Sequence, residues 1–155
     1  MDLNGLIRPD SIIADLAATS KKQALQELSD VAAELTGKRP REIFDTLLQR
    51  ERLGSTGLGR GIAIPHIKLT DLDRIYCVFA RLKNPIDFEA IDNEPVDLVF
   101  LLLAPEHASG DHLKALSRIS RLMRVPSVLD ELRAATSEAA LKQILSASAS
   151  TSHAA

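Results

Sequence analysis

Apolar residues recur three and four apart in some stretches of the chain and run almost unbroken in others, and this change of period separates helices from strands. Ala24, Leu25, Leu28, Val31, Ala32 and Leu35 keep helical spacing between Ser20 and Gly37. With Gln23 three residues after Ser20, as a capping box requires, the pattern predicts a helix over 20–36. Pro40 opens a second helix whose inner face is Ile43, Phe44, Leu47 and Leu48, with Gly54 as its stop. Residues 61–65, 75–82 and 97–104 are short and rich in Ile, Val, Leu or Phe, and read as strands. The last is apolar almost throughout, which suits a central strand covered on both faces, and Ile12, Ile13 and Ala14 add a shorter edge strand. After Pro105 the helical period returns. Ser109 is placed to cap a segment with Leu113, Leu116, Ile119, Leu122 and Met123 as its apolar stripe, Pro126 ends it, and helices over 127–134 and 137–145 follow. The expected architecture is α/β, a small mixed sheet with helices on both faces. Residues 1–145 form one domain, and 146–155, almost wholly Ser, Ala and Thr, a mobile tail in which His153 is incidental.

Composition narrows the possibilities without choosing among them. At 155 residues, 45% hydrophobic and 26% charged, the chain is the size of one domain with a single core. A net charge of −2 with only 3% aromatic residues gives no footprint for nucleic acid. No apolar run is long enough to cross a bilayer, and Met1 to Asn4 lacks a signal-peptide pattern, so a cytoplasmic protein is expected. Cys77, the single cysteine, lies in an apolar run and reads as a buried small hydrophobe.

The chemistry concentrates in Gly54-Ser55-Thr56-Gly57-Leu58-Gly59-Arg60-Gly61-Ile62-Ala63-Ile64-Pro65-His66. A glycine-rich loop feeds a short apolar strand that ends on a histidine, which is how a phosphate cradle with a nucleophile at its rim would be laid out. Gly57, Gly59 and Gly61 let the backbone approach an anion, Ser55 and Thr56 offer hydroxyls that could equally stabilise a turn, and Arg60 offers a bidentate charged grip. An imidazole is substantially neutral, hence nucleophilic, near pH 7, and His66 is the candidate. Pro65 lacks an N–H, so the strand must end or lie at an edge there. The spacing is not the G-x-G-x-x-G of a dinucleotide fold, and no Gly-Lys-Ser/Thr follows as in a P-loop.

Residues 53–66 as a block resemble the active-site signature of the type-2 IIA proteins of the bacterial phosphoenolpyruvate-dependent phosphotransferase system. A second block, Phe88-Glu89-Ala90-Ile91-Asp92-Asn93-Glu94-Pro95-Val96-Asp97-Leu98-Val99-Phe100, is similar to the nitrogen-regulatory branch of that family. The resemblance covers the chain to about Leu145. It implies a three-layer α/β/α sandwich, phosphorylation of His66 at Nε2 by an HPr-like phosphocarrier, and regulatory targets such as potassium-transport or sensor-kinase components. It also implies that His112, in the first turn of its helix and followed by Leu113, supports His66. Where the family usually carries a small residue after the histidine, this chain has Ile67, which could narrow access.

Three functions remain open at this stage: a regulatory phosphohistidine carrier, a fructose- or mannitol-type component passing phosphate to a IIB domain, and a non-catalytic scaffold on the same fold. The 88–100 block favours the first. His107 is expected on an exposed loop, and Lys114, Arg118, Arg121 and Arg124 form a basic stripe whose ordinary reading is a solvated helix face. Glu51, Asp71 and Asp73 read as ordinary surface charges. No Cys or His cluster has metal-ligand spacing, so neither metal nor other cofactor is expected.

Overall fold

Caps set the first two long helices where the sequence puts them. In the computed structural model, which describes residues 3–107 and 110–154, α1 (Leu3–Leu6), a 3-10 turn (Pro9–Ser11) and β1 (Ile12–Leu16) precede α2 (Lys21–Thr36). Ser20 Oγ accepts from the Gln23 N–H at 3.1 Å, and Gly37 ends α2 at a φ of 76° that favours glycine. The capping box is shifted by one residue, because Gln23 Oε1 accepts from the N–H of Thr19, at 2.9 Å, rather than from that of Ser20. Then come α3 (Pro40–Leu53), β2 (Gly57–Gly59), β3 (Ile62–Ala63), β4 (His66–Leu69), β5 (Tyr76–Ile86), β6 (Val96–Pro105), α4 (Asp111–Leu122), α5 (Pro126–Ala134) and α6 (Glu138–Ala154).

The sheet is mixed, with β1, β5, β6, β3 and β2 in spatial order. β6 is its centre, buried along nearly its whole length, antiparallel to β5 on one side and parallel to β3 and then β4 on the other. On one face α2 and α3 bury Leu25, Leu28, Ile43 and Leu47 against Ile67, Val99 and Leu101. On the other, Ile62, Ile64, Phe79 and Phe100 lie under Ile119, Leu122, Leu132, Leu141 and Leu145 of α4 to α6. Each such side chain contributes about 1.5–3 kcal/mol by leaving water. Cys77 is buried as expected, and burial pushes its thiol well up.

Several expectations change. The strand expected over 61–65 is broken, since Ile64 and Pro65 separate β3 from β4 and His66 opens a strand instead of closing one. The glycine run is partly a strand, β2, antiparallel to β3. Leu113 is 58% exposed, and Ala115 replaces it on the buried stripe of α4. Ser109, the expected cap, lies outside the described residues, and α4 follows directly on Gly110. Helix α6 continues to Ala154, so helical backbone covers most of the segment expected as a tail. Glu51 is buried at 6% exposure, which overturns its reading as a surface charge.

Candidate functional site

The break at Ile64-Pro65 builds the site. Proline offers no N–H to the ladder, and the Ile64 N–H turns away from β6 to the Thr56 carbonyl, at 3.0 Å. The Ile64 carbonyl accepts from the imidazole of His66, with Nδ1 2.8 Å away. A carbonyl can only accept, so Nδ1 carries a proton, and in the neutral ring it is Nε2 that keeps the bare lone pair. The resemblance implied attack through Nε2, and this hydrogen bond is what leaves that nitrogen available.

β4 pairs with β6 on one side and, among the described residues, has no strand on its other. There a cleft of about 510 Å³ opens between α3 and the start of α4, lined by Thr46, Gln49, Arg50, Leu53, His66, Ile67, Lys68, Leu102, Ala104 and His112. The structure thus brings His66 and His112 together. It also adds two cations, Arg50 and Lys68, and the lining contains no carboxylate, so the cleft favours an anion. Arg50 Nη1 donates to the Gly54 carbonyl at 3.0 Å, which holds the guanidinium at the end of α3. Lys68 was legible in principle: two residues on from His66 in a strand, it shares that residue's face. Arg50, in the last turn of α3, has no such local signal, and only the fold of α3 against β4 places it here. Ile67, between the two, turns its side chain into the opposite core at 7% exposure, so its bulk goes mainly to packing rather than over His66.

The loop residues acquire other partners. Ser55 Oγ donates to the Phe88 carbonyl at 2.8 Å and accepts from the Gly57 N–H at 3.0 Å. Thr56 is buried, and its hydroxyl donates to Glu51 at 2.6 Å. Both hydroxyls therefore serve the turn. A Cβ on Gly57 would meet that of Ala90 at 2.8 Å, while one on Gly61 would meet the Arg133 guanidinium at 2.6 Å. These glycines admit protein neighbours, and Gly59 lies similarly close to Asp92.

Arg60 is not beside His66. Ile62 and His66 lie opposite Leu98 and Leu102, about 13 Å apart along β6, and Arg60 is beyond Ile62 in the β2–β3 turn. That turn is held by the Arg60 N–H donating to Asp92 at 3.0 Å and by Arg133, which donates to the Arg60 carbonyl at 2.7 Å while paired with Asp97. The Arg60 side chain lines a separate cleft with Leu58, Ile62, Ser120, Met123 and Arg124. His107 is exposed, as expected.

The model of the family described as "Phosphoenolpyruvate-dependent sugar phosphotransferase system, EIIA 2" matches residues 5–148. The chain belongs to this EIIA family. It is 54% identical over 145 residues to a nitrogen regulatory protein of Bradyrhizobium diazoefficiens, covering 94% of this chain and 95% of that one. To the nitrogen regulatory protein of Escherichia coli K12 it is 40% identical over 146 residues, covering 94% and 90%. The crystal structure of nitrogen regulatory protein IIA-Ntr from Neisseria meningitidis superposes on this EIIA chain with a TM-score of 0.88 at 33% identity, over 92% of this chain and 98% of that one. Among the described residues of the EIIA chain, no helix is long and apolar enough to cross a membrane.

Proposed function

We propose that this EIIA chain is a regulatory phosphohistidine carrier of the nitrogen branch, working in the cytoplasm. It takes a phosphoryl group from an HPr-like phosphocarrier onto His66 and binds its targets according to whether that group is present. One observation carries the reading: the 2.8 Å bond from Nδ1 to the Ile64 carbonyl, which leaves Nε2 as the lone pair of a cation-lined cleft.

Phosphoryl transfer asks mainly for an in-line nucleophile and for positive charge around the equatorial oxygens. As the Nε2–P bond forms, the donor's N–P bond breaks and its electron pair returns to the donor nitrogen. The proton on Nδ1 stays in place. The His66 ring becomes cationic, so its bond to the Ile64 carbonyl strengthens. Arg50 and Lys68 supply positive charge for the phosphoryl oxygens, and His112 supports the site from α4. Leu53, on the rim at 85% exposure, offers an apolar contact for a protein donor. The names and identities of the relatives support the regulatory branch over a sugar-specific component.

Once attached, the group adds nearly two negative charges and three acceptor oxygens to this rim. A partner packed dry against the unphosphorylated face would have to bury them, so charge at the site is the switch. Incubation with phosphoenolpyruvate, enzyme I and the phosphocarrier should add one acid-labile, base-stable phosphoryl group, and none in His66→Ala. Stoichiometric labelling of His66→Ala would overturn the assignment. Onward passage of the label to a IIB domain would replace regulation with sugar transport as the role, and a wild-type protein that takes no label would be a scaffold on this fold.

A further inference from the structure

The buried carboxylate of Glu51 lies outside the cleft, yet a chain of hydrogen bonds leads from it to the imidazole. Its side chain is 3% exposed and faces Lys21 Nζ at 3.0 Å, itself only 15% exposed and placed over the Phe88 ring at 4.9 Å. Lys21 supplies the countercharge that a buried carboxylate needs. The two Glu51 oxygens grip one residue from both sides: Oε1 accepts the Thr56 N–H at 3.1 Å and Oε2 the Thr56 hydroxyl at 2.6 Å. Glu51 holds the Thr56 N–H and hydroxyl, and Ser55 Oγ holds the next N–H, that of Gly57, at 3.0 Å, so the direction of the Thr56 carbonyl is set. That carbonyl accepts from the Ile64 N–H at 3.0 Å, and the Ile64 carbonyl accepts from His66 Nδ1 at 2.8 Å.

We propose that Glu51 is a positioning residue for His66: through Thr56 and the backbone of Ile64 it keeps Nδ1 protonated and Nε2 bare and aimed into the cleft. The physical reason is orientation. Ile64 lies between β3 and β4, and its N–H is held by the Thr56 carbonyl at 3.0 Å rather than by β6. Fixing Ile64 in this way aims its carbonyl, which belongs to the N–H-free Ile64-Pro65 amide, at His66 Nδ1. That acceptor is wanted most when the ring turns cationic during transfer. The effect on rate rests on the phosphocarrier reading above; the effect on the ring's tautomer does not.

The test uses the full chain, 15N-labelled, with long-range proton–nitrogen correlation of the His66 ring, and phosphoryl uptake measured on the same samples. Wild type should show the Nδ1–H tautomer. Glu51→Gln and Thr56→Val should shift the ring toward a mixture of tautomers and slow uptake about tenfold, as for one hydrogen bond lost. Thr56→Ser, which keeps the hydroxyl, should restore both. Thr56→Val keeps the shape of the residue and the ion pair, and so tests the route if Glu51→Gln does not fold. A wild-type tautomer in the folded variants would overturn the proposal even if uptake slowed, because stability alone could slow it. If wild type takes up no phosphate, the carrier reading fails while a tautomer shift would still support this positioning.

Discussion

The two ends of the run from Gly54 to His66 sit in clefts of nearly equal size, about 510 Å³ at His66 and about 500 Å³ at Arg60. Each has two basic residues on an apolar wall, Arg50 and Lys68 in the first, Arg60 and Arg124 in the second. They lie toward opposite ends of α4, His112 in one and Ser120 in the other. Among the described lining residues, only the first cleft holds an imidazole, and a backbone carbonyl there fixes which ring nitrogen is bare. The supports differ too. The His66 end hangs from a buried carboxylate and lysine, whereas the Arg60 turn is held by Asp92 and by the Arg133–Asp97 pair nearer the surface. Positive charge beside apolar surface is cheap to build and attracts anions anywhere. Chemistry needs an oriented lone pair, and orientation here rests on buried polar groups.

The supports should therefore fail very differently. Glu51→Ala leaves Lys21 with only the exposed Glu89, 3.7 Å away, and removes both acceptors from Thr56, so it should cost about 3–5 kcal/mol of stability in urea unfolding. A loss below about 1 kcal/mol, the range of an exposed pair, would mean that the two ends are held alike.

For transfer itself, Arg50→Ala should slow phosphoryl uptake by about 1.5–3 kcal/mol in activation free energy, the worth of a hydrogen bond to a charged group. Arg60→Ala should leave the rate within about twofold, an effect of about 0.4 kcal/mol or less. A slow Arg60→Ala variant with unchanged melting would bring the second cleft into the phosphoryl-transfer surface and erase the distinction.

His112→Ala should slow uptake less, by about 0.5–1.5 kcal/mol, with thermal melting preserved, because a half-exposed first-turn residue belongs to the cleft rather than the core. Full activity together with full stability would remove it from the site.

At the other end the expected signal depends on acid. Asp92 is held below its ordinary value of 3.8, first by the Arg60 N–H and then by that of Glu94. A depressed carboxylate stabilises fully above its unfolded value and loses that contribution as pH falls through the lower native one. The Arg60 amide resonance should accordingly move only below about pH 4, and not in Asp92→Asn. A shift in that variant would assign the change to another group.

The smallest effect belongs to the C-terminus. Leu145 is fully buried, and the Ser- and Ala-rich stretch after it offers no large apolar side chain. Deleting 146–155 should change unfolding free energy by less than about 0.5 kcal/mol, and a larger loss would make that stretch part of the domain rather than a tail.

What the sequence determined by itself was local. Period, caps and breakers predicted α2, α3 and the central β6, because a capping serine, a C-terminal glycine or an unbroken apolar run acts within a few residues. Pro65 and His66 marked the proposed reactive point for the same reason. Tertiary structure decided what the glycines meet, since Gly57 touches Ala90, a residue far along the chain. It also buried Glu51, carried Arg60 away from His66 and brought Arg50 and His112 to it. Those outcomes depend on how α3, α4 and the β2–β3 turn pack on the sheet. Packing joins groups remote in sequence, and a residue's charge or flexibility acquires its role only from the neighbours packing provides.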